Sequence, residues 1–355
     1  MSWYYLAFIR FQVRDADSKP NLTPPVTTTE MALVYKEKLE RLEPNVKFLM
    51  TLYLSPQLTV EEVAKAKANG IVGISPVPGR HANHRREIIS KVSERIGCVN
   101  SRGVTTNSDS GVLSYEQYYP VFAAMEKHDL ILNLHGEVPP NTSDPNIKTA
   151  DSSTVLTAET SFLPTLLSLH ARFPKLRIIL EHCTTAAAIE AVLACGPSVA
   201  GTITAHHLYL TVDSWAGDPF NFCKPVAKFP SDKQALITAA TSGNKKFFLG
   251  SDSAPHPQKS KIAKKVAAGV FTQPYVMQYV TEIFDRVGKL DRLKGFATEF
   301  GREFYRVPYE TTEGRIVMVK KAVSVQETFG GQGGDAIVPF RAGEKLAWDV
   351  IWLEA

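Results

Sequence analysis

The stretch Phe247-Phe248-Leu249-Gly250-Ser251-Asp252-Ser253-Ala254-Pro255-His256 is an apolar run that ends in an acid and, four residues later, a histidine. In a barrel of parallel strands the chemistry stands where strands stop, so an Asp and a His just past such a run read as a site. Two further runs end the same way. Leu130-Ile131-Leu132-Asn133-Leu134 delivers His135 in the string NLHGE, and Arg177-Ile178-Ile179-Leu180-Glu181 delivers His182 in LEHCTT. A strand buried on both faces carries apolar residues throughout, so packing does not account for these ends. One histidine at a strand end is more often a hydrogen-bonded core residue. Three strand ends offering imidazole and carboxylate point to a metal centre, because zinc and similar ions take those donors.

Working outward from these runs, helix-like and strand-like segments alternate from about residue 27. Helices are expected over 27–41, 60–69, 115–128, 161–173, 186–195, 231–242 and 274–286, and strands over 47–53, 70–74, 131–134, 177–180, 199–205 and 246–249. Strands separated by helices pair in parallel through right-handed crossovers, and sites on several strand ends favour a (β/α)₈ barrel over an open sheet. Two barrel strands then remain to be found upstream, and Leu6 to Val13 is a candidate for one of them. Phe329 to Gly334 is glycine-rich but lacks the Lys-Ser/Thr of a phosphate loop, so it reads as a connection. Ile337 to Phe340 and Trp348 to Leu353 read as short strands on the outside of the barrel.

The bulk properties narrow the partners. A chain of 355 residues can build one large α/β domain, and its formal charge of +4 is small and scattered, which argues against a nucleic-acid face. Four cysteines, Cys98, Cys183, Cys195 and Cys223, show no CxxC pair, so neither a disulfide framework nor a structural zinc knot is expected and a reducing, cytoplasmic setting is. The opening MSWYYLAFIRFQVR has no basic leader or small-residue cleavage site, and no window reaches the apolar length of a membrane span. A small molecule is the expected partner.

The strings PNLTPPVTT, GVTTNSDSGV, NLHGE, LEHCTT, TAHHLYLTVDSWAGDPFNFCKPVAK, GSDSAPHP and VPFRAGEKLAW together resemble the monofunctional, fungal-type dihydroorotases of the amidohydrolase superfamily. The resemblance runs from about Pro20 to the C-terminus with one interruption. It implies one barrel domain over residues 1–355, with a short C-terminal extension over 329–355. It also implies reversible conversion of (S)-dihydroorotate to N-carbamoyl-L-aspartate in pyrimidine biosynthesis, two zinc ions per subunit, and a cytoplasmic homodimer. Carried over by motif, His135 and His182 bind the more exposed ion, and Asp252 binds the buried one and shuttles the proton. Asn21 and His256 match residues on the carboxylate side of the substrate, with the backbone of Ala268 and Gly269 nearby. Thr105 and Thr106 match a loop that closes over the ligand, although on residue type alone they read equally as a solvated polar loop. His206 and His207 are expected to be structural, and His128 and His170 to lie at the surface.

Two departures from the family pattern stand out. Met1 to Lys19 contains no histidine, so the His-x-His-x-Arg signature of the first barrel strand is missing, and neither Arg10 nor Arg14 stands in its motif. Residues 74–101, ISPVPGRHANHRREIISKVSERIGCVNS, replace the segment that carries the bridging, carboxylated lysine. Lys91 in that stretch reads as a helix face, and His81 and His84 as part of a basic, solvated loop. Sharp edges with family sequence on either side suggest a misplaced start and an untrimmed intervening segment. A related hydantoinase-like cyclic amidohydrolase and an inactive scaffold barrel stay open as alternatives.

Overall fold

The computed structural model describes residues 4–6, 25–44, 46–75, 115–138, 153–308 and 315–353. The strands are β1 (Tyr4–Leu6), β2 (Thr51–Tyr53), β3 (Gly73–Ser75), β4 (Ile131–His135), β5 (Ile178–Glu181), β6 (Val199–Ile203), β7 (Phe247–Leu249), β8 (Arg315–Val319), β9 (Val323–Ser324), β10 (Lys345–Leu346) and β11 (Asp349–Leu353). The helices that matter here are α1 (Thr29–Leu42), α2 (Val60–Ala68), α3 (Tyr119–His128), α4 (Ala158–Arg172), α5 (Ala186–Ala194), α6 (Val212–Ala216), α7 (Pro230–Thr241), α8 (Gln258–Lys261) and α9 (Val276–Arg286). Strands β2 to β7 pair in sequence order and every pair is parallel. This is the architecture of a (β/α)₈ barrel, six of whose strands lie among the described residues.

Three of the helices start where the sequence supplies a threonine cap. The hydroxyls of Thr28, Thr59 and Thr185 accept the N–H groups of Met31, Glu62 and Ala188 at the starts of α1, α2 and α5, satisfying donors the helix leaves unpaired. Helix α3 ends at Asp129 in the left-handed region, φ 56°, and its carboxylate then holds Arg177 at 2.8 Å and Arg306 at 2.6 Å.

Two cores follow from strand pleating, because alternate residues face opposite sides. Leu132, Leu134, Ile178, Leu180, Val199 and Ile203 pack outward against the helices in one large cluster. Ile131, Ile179, Ala200 and Phe248 pack with Tyr305 in a separate one. The alternation places that second set inside the barrel, filled in layers, with the next inward residues Asn133, Glu181 and Thr202 above it.

Several sequence expectations need correction. Tyr4–Leu6 does form a strand, but it pairs antiparallel with β8, which also pairs antiparallel with β11, so Leu6 belongs to a separate three-stranded sheet and not to the barrel. Residues 7–13 lie outside the described residues. Strand β8 went unrecognised, and the C-terminal β structure therefore begins before residue 329. Ile337 makes only isolated bridges, to Phe329 and Pro257, in place of a strand over 337–340. Ile74 and Ser75, the first residues of the departing segment, complete β3 against Leu52 and Tyr53. The rest of it, including His81, His84 and Lys91, lies outside the described residues. Among the described residues no helix is long and apolar enough to cross a membrane.

Candidate active site

The inward face of β4 carries Ile131, Asn133 and His135 in succession, so the strand period that buries Ile131 at the barrel floor brings the His135 ring to its upper end. His135 sits in register with Glu181, the last residue of β5. His182 follows at φ 43°, and Asp252, just past β7, adopts φ 37°. Left-handed conformations at non-glycine residues cost about 1–3 kcal/mol each and persist where surrounding structure imposes them. The imposing bonds are visible at His182. Its N–H donates to Thr202 Oγ1 at 2.7 Å, and the Thr202 hydroxyl donates to Glu181 Oε2 at 2.7 Å. The Asn133 amide donates to Glu181 Oε1 at 2.7 Å and to the Tyr305 hydroxyl at 2.8 Å. A ladder of buried polar bonds across β4, β5 and β6 thus holds the backbone that presents His182.

The two imidazoles meet edge to face, with His135 Nδ1 at 2.9 Å from His182 Nε2. His135 Nε2 lies 2.9 Å from Glu137 Oε2. A carboxylate accepts, so the hydrogen belongs on Nε2 and the lone pair of Nδ1 points at His182. Two imidazole nitrogens on one zinc, each at 2.0–2.1 Å in tetrahedral geometry, would stand about 3.3 Å apart, within a few tenths of an ångström of the spacing seen. A carboxylate behind a ligating histidine is the usual arrangement for fixing its tautomer. The residues present therefore fit a divalent cation held between His135 and His182.

Behind this pair lies a buried charge cluster that the sequence reading missed. Glu137 and Glu159 are both buried, and so is Lys228, whose ammonium donates to Val226 O at 2.8 Å. Burial alone would raise the Glu137 carboxyl, but the hydrogen bond from His135 and the charge of Lys228 hold it below the usual range. Burial wins at Glu159, pushing its carboxyl up to about 7 against the opposing charge of Lys228. Glu159 accepts from Thr184 N at 2.8 Å and from the Thr185 hydroxyl at 2.5 Å, pinning the turn that follows His182. Glu137 had a signal in the sequence, since an acid two residues beyond a strand-end histidine shares its side of the chain. Lys228, in CKPVAK, had none.

The loop after Asp252 folds back on itself. His256 Nε2 lies 3.0 Å from Ala268 O, and Ala254 N donates to Val270 O at 3.0 Å. Gly269 has φ 154°, and a Cβ there would meet Ala254 Cβ at 2.6 Å and Ala254 O at 2.7 Å, so only glycine permits this approach. The structure thus brings His256, Ala268 and Gly269 together. Asp252 acts electrostatically on both His207 and Cys223, which places it beside the same buried region. Asn21, Thr105 and Thr106 lie outside the described residues.

Among the described residues, His206, His207 and Cys223 are a group of three potential ligands whose donor atoms lie within 4.8 Å of one another. Hydrogen bonds account for His207, which has Thr204 Oγ1 at 2.8 Å from Nδ1 and Pro225 O at 3.0 Å from Nε2, and Cys223 Sγ donates to Pro225 O at 3.2 Å. Burial pushes the His207 imidazolium well down and the Cys223 thiol up to about 12, leaving both neutral. The expectation for His170 needs amending: it is partly buried, and its Nε2 accepts the Gly196 N–H at 2.9 Å.

A family model described as Amidohydrolase matches residues 13–268. A probable dihydroorotase of Schizosaccharomyces pombe is 51% identical over 333 residues, 94% of this chain and 88% of the relative. The crystal structure of the Saccharomyces cerevisiae dihydroorotase in complex with 5-fluoroorotic acid superposes with a TM-score of 0.80 at 40% identity, covering 95% of this chain and 89% of that one. The dihydroorotase of Campylobacter jejuni gives a TM-score of 0.76 at 30% identity, with 93% and 86% covered. A model match over most of the length and a relative half identical across nearly all of it leave one conclusion: the chain belongs to the dihydroorotase family of the amidohydrolases.

Proposed function

We propose that the chain interconverts (S)-dihydroorotate and N-carbamoyl-L-aspartate in pyrimidine biosynthesis. The observation that carries this reading is the convergence of His135 Nδ1 and His182 Nε2 at 2.9 Å, at the ends of adjacent strands, in a chain of this family. His135 and His182 would hold the more exposed of two zinc ions and Asp252 the buried one. Zinc bound there would acidify water and polarise the ring carbonyl. In hydrolysis the water oxygen bonds to that carbonyl carbon, the ring C–N bond breaks, and Asp252 passes the proton to the departing amide nitrogen. Glu137 keeps the His135 hydrogen on Nε2. His256, Asn21 and the backbone of Ala268 and Gly269 hold the substrate carboxylate, while Thr105 and Thr106 close over it and exclude water.

The subunits are read as a cytoplasmic homodimer acting on a small molecule. Free thiols at Cys183, Cys195 and Cys223 suit a reducing compartment. The test is an assay of dihydroorotate loss with zinc content and oligomeric state measured on the same sample. Only a trace of turnover is expected of the unmodified chain, rising with added zinc and absent in Asp252→Ala. Opening of hydantoins with indifference to dihydroorotate would refute the substrate, and a zinc-free, inert chain would make it a scaffold.

A further inference from the structure

Lys261 ends the short helix α8, and its side chain is 3% exposed. Its ammonium donates to Phe222 O at 3.0 Å, Ala267 O at 2.9 Å and Gly269 O at 2.7 Å. An ammonium has three donors, and all three are spent on main-chain carbonyls. Those carbonyls come from two segments: the stretch before Cys223 and the Ala267–Gly269 turn. The turn is tied in from other sides as well. Gly269 N donates to Phe222 O at 3.0 Å, Ala267 N donates to Ser260 O at 3.1 Å, and Ala268 O faces His256 Nε2. The Gly269 backbone lies so close to Ala254 that no Cβ fits between them.

A buried cation is costly, and a side chain that merely filled space here would be apolar. Charge-assisted hydrogen bonds to three carbonyls are what make an ammonium tolerable at this depth, and they fix three backbone groups at once. We propose that Lys261 is the positioning residue of the substrate-carboxylate pocket: its three-pronged clamp on Phe222, Ala267 and Gly269 holds the turn whose Ala268 carbonyl sets the His256 ring and whose backbone meets the ligand. The inference rests on the proposed dihydroorotate reading, which assigns His256, Ala268 and Gly269 to that carboxylate. Lys261 touches no ligand itself. A site on a turn is only as sharp as the shell that holds the turn, so loosening the clamp acts on ligand binding ahead of the chemical step.

The experiment compares the full chain with Lys261→Met, which keeps the length and loses the donors, and with Lys261→Arg, which keeps the cation but cannot aim the same three bonds. Amide hydrogen exchange is followed across 267–270, and the dissociation constant of 5-fluoroorotate is measured by calorimetry. The expected result for Lys261→Met is exchange at 267–269 faster by about tenfold or more and 5-fluoroorotate binding weaker by roughly tenfold, the range seen when supporting contacts of a site are removed. Lys261→Arg should fall between, and it carries the comparison if the methionine variant does not fold. Unchanged exchange and unchanged affinity would overturn the inference. So would weaker binding with an undisturbed turn, since Lys261 would then act through its charge and not as a clamp. If the unsubstituted chain does not bind 5-fluoroorotate, the dihydroorotate reading fails, and with it the ligand role given to the clamp.

Discussion

Replacing Glu159 with glutamine should change how stability depends on pH, and the structure sets the size of the effect. The Glu159 carboxyl is buried and sits at about 7 in place of 4.5, with burial the largest cause. A folded-state value above the unfolded one means that the native chain binds the extra proton between pH 4.5 and 7. The stabilisation this brings is complete below pH 4.5 and lost as pH rises through 7. A shift of that size corresponds to about 3 kcal/mol across the window. Glutamine keeps the acceptor for Thr184 N but carries no titrating proton, so the wild-type chain should lose about 3 kcal/mol relative to Glu159→Gln between pH 4.5 and pH 7. Urea unfolding of both chains at half-unit pH steps measures the difference directly. Two curves that run parallel would show that Lys228 cancels burial, and a wild type that gains on the variant as pH rises would show that Lys228 outweighs it.

Glu137→Gln removes the charge from the acceptor behind His135 and should weaken zinc retention by about 10–100-fold in competition with a chelator; retention equal to wild type would show that Glu137 does not orient the ligand. Gly269→Ala forces a Cβ to 2.6 Å from Ala254 Cβ in a left-handed backbone, so thermal unfolding should reveal a loss of about 1–3 kcal/mol; an unshifted midpoint would mean that the turn relaxes freely. His135→Ala and His182→Ala should each lower bound zinc below the content of the unmodified chain, measured by elemental analysis, whereas variants of His206 should not. Because the family's paired histidines and bridging lysine have no match in the sequence, the unmodified chain is expected to carry substoichiometric zinc and to give only a trace of dihydroorotate turnover, and robust turnover would show that other residues complete the site.

The sequence by itself determined the alternation of strands and helices, the parallel order of β2 to β7 and the strand ends that carry His135, His182 and Asp252. Those are properties of local periodicity, since an apolar run and its stop signal lie within ten residues of each other. What the same reading misplaced is what depends on distant partners. Tyr4–Leu6 looks like any short strand, and only the presence of β8 draws it out of the barrel. The meeting of His135 with His182 joins residues 47 apart in the chain, and the clamp from Lys261 to Phe222 spans 39. Neither Lys228, in PVAKFP, nor Lys261, in QKSKIAKK, has a neighbour in sequence that marks it, because a lysine outside any motif reads as solvated. Only the tertiary structure buries them, and burial is what turns an ordinary ammonium into a group that must find charge or carbonyl partners, and so into part of the scaffold that holds the site.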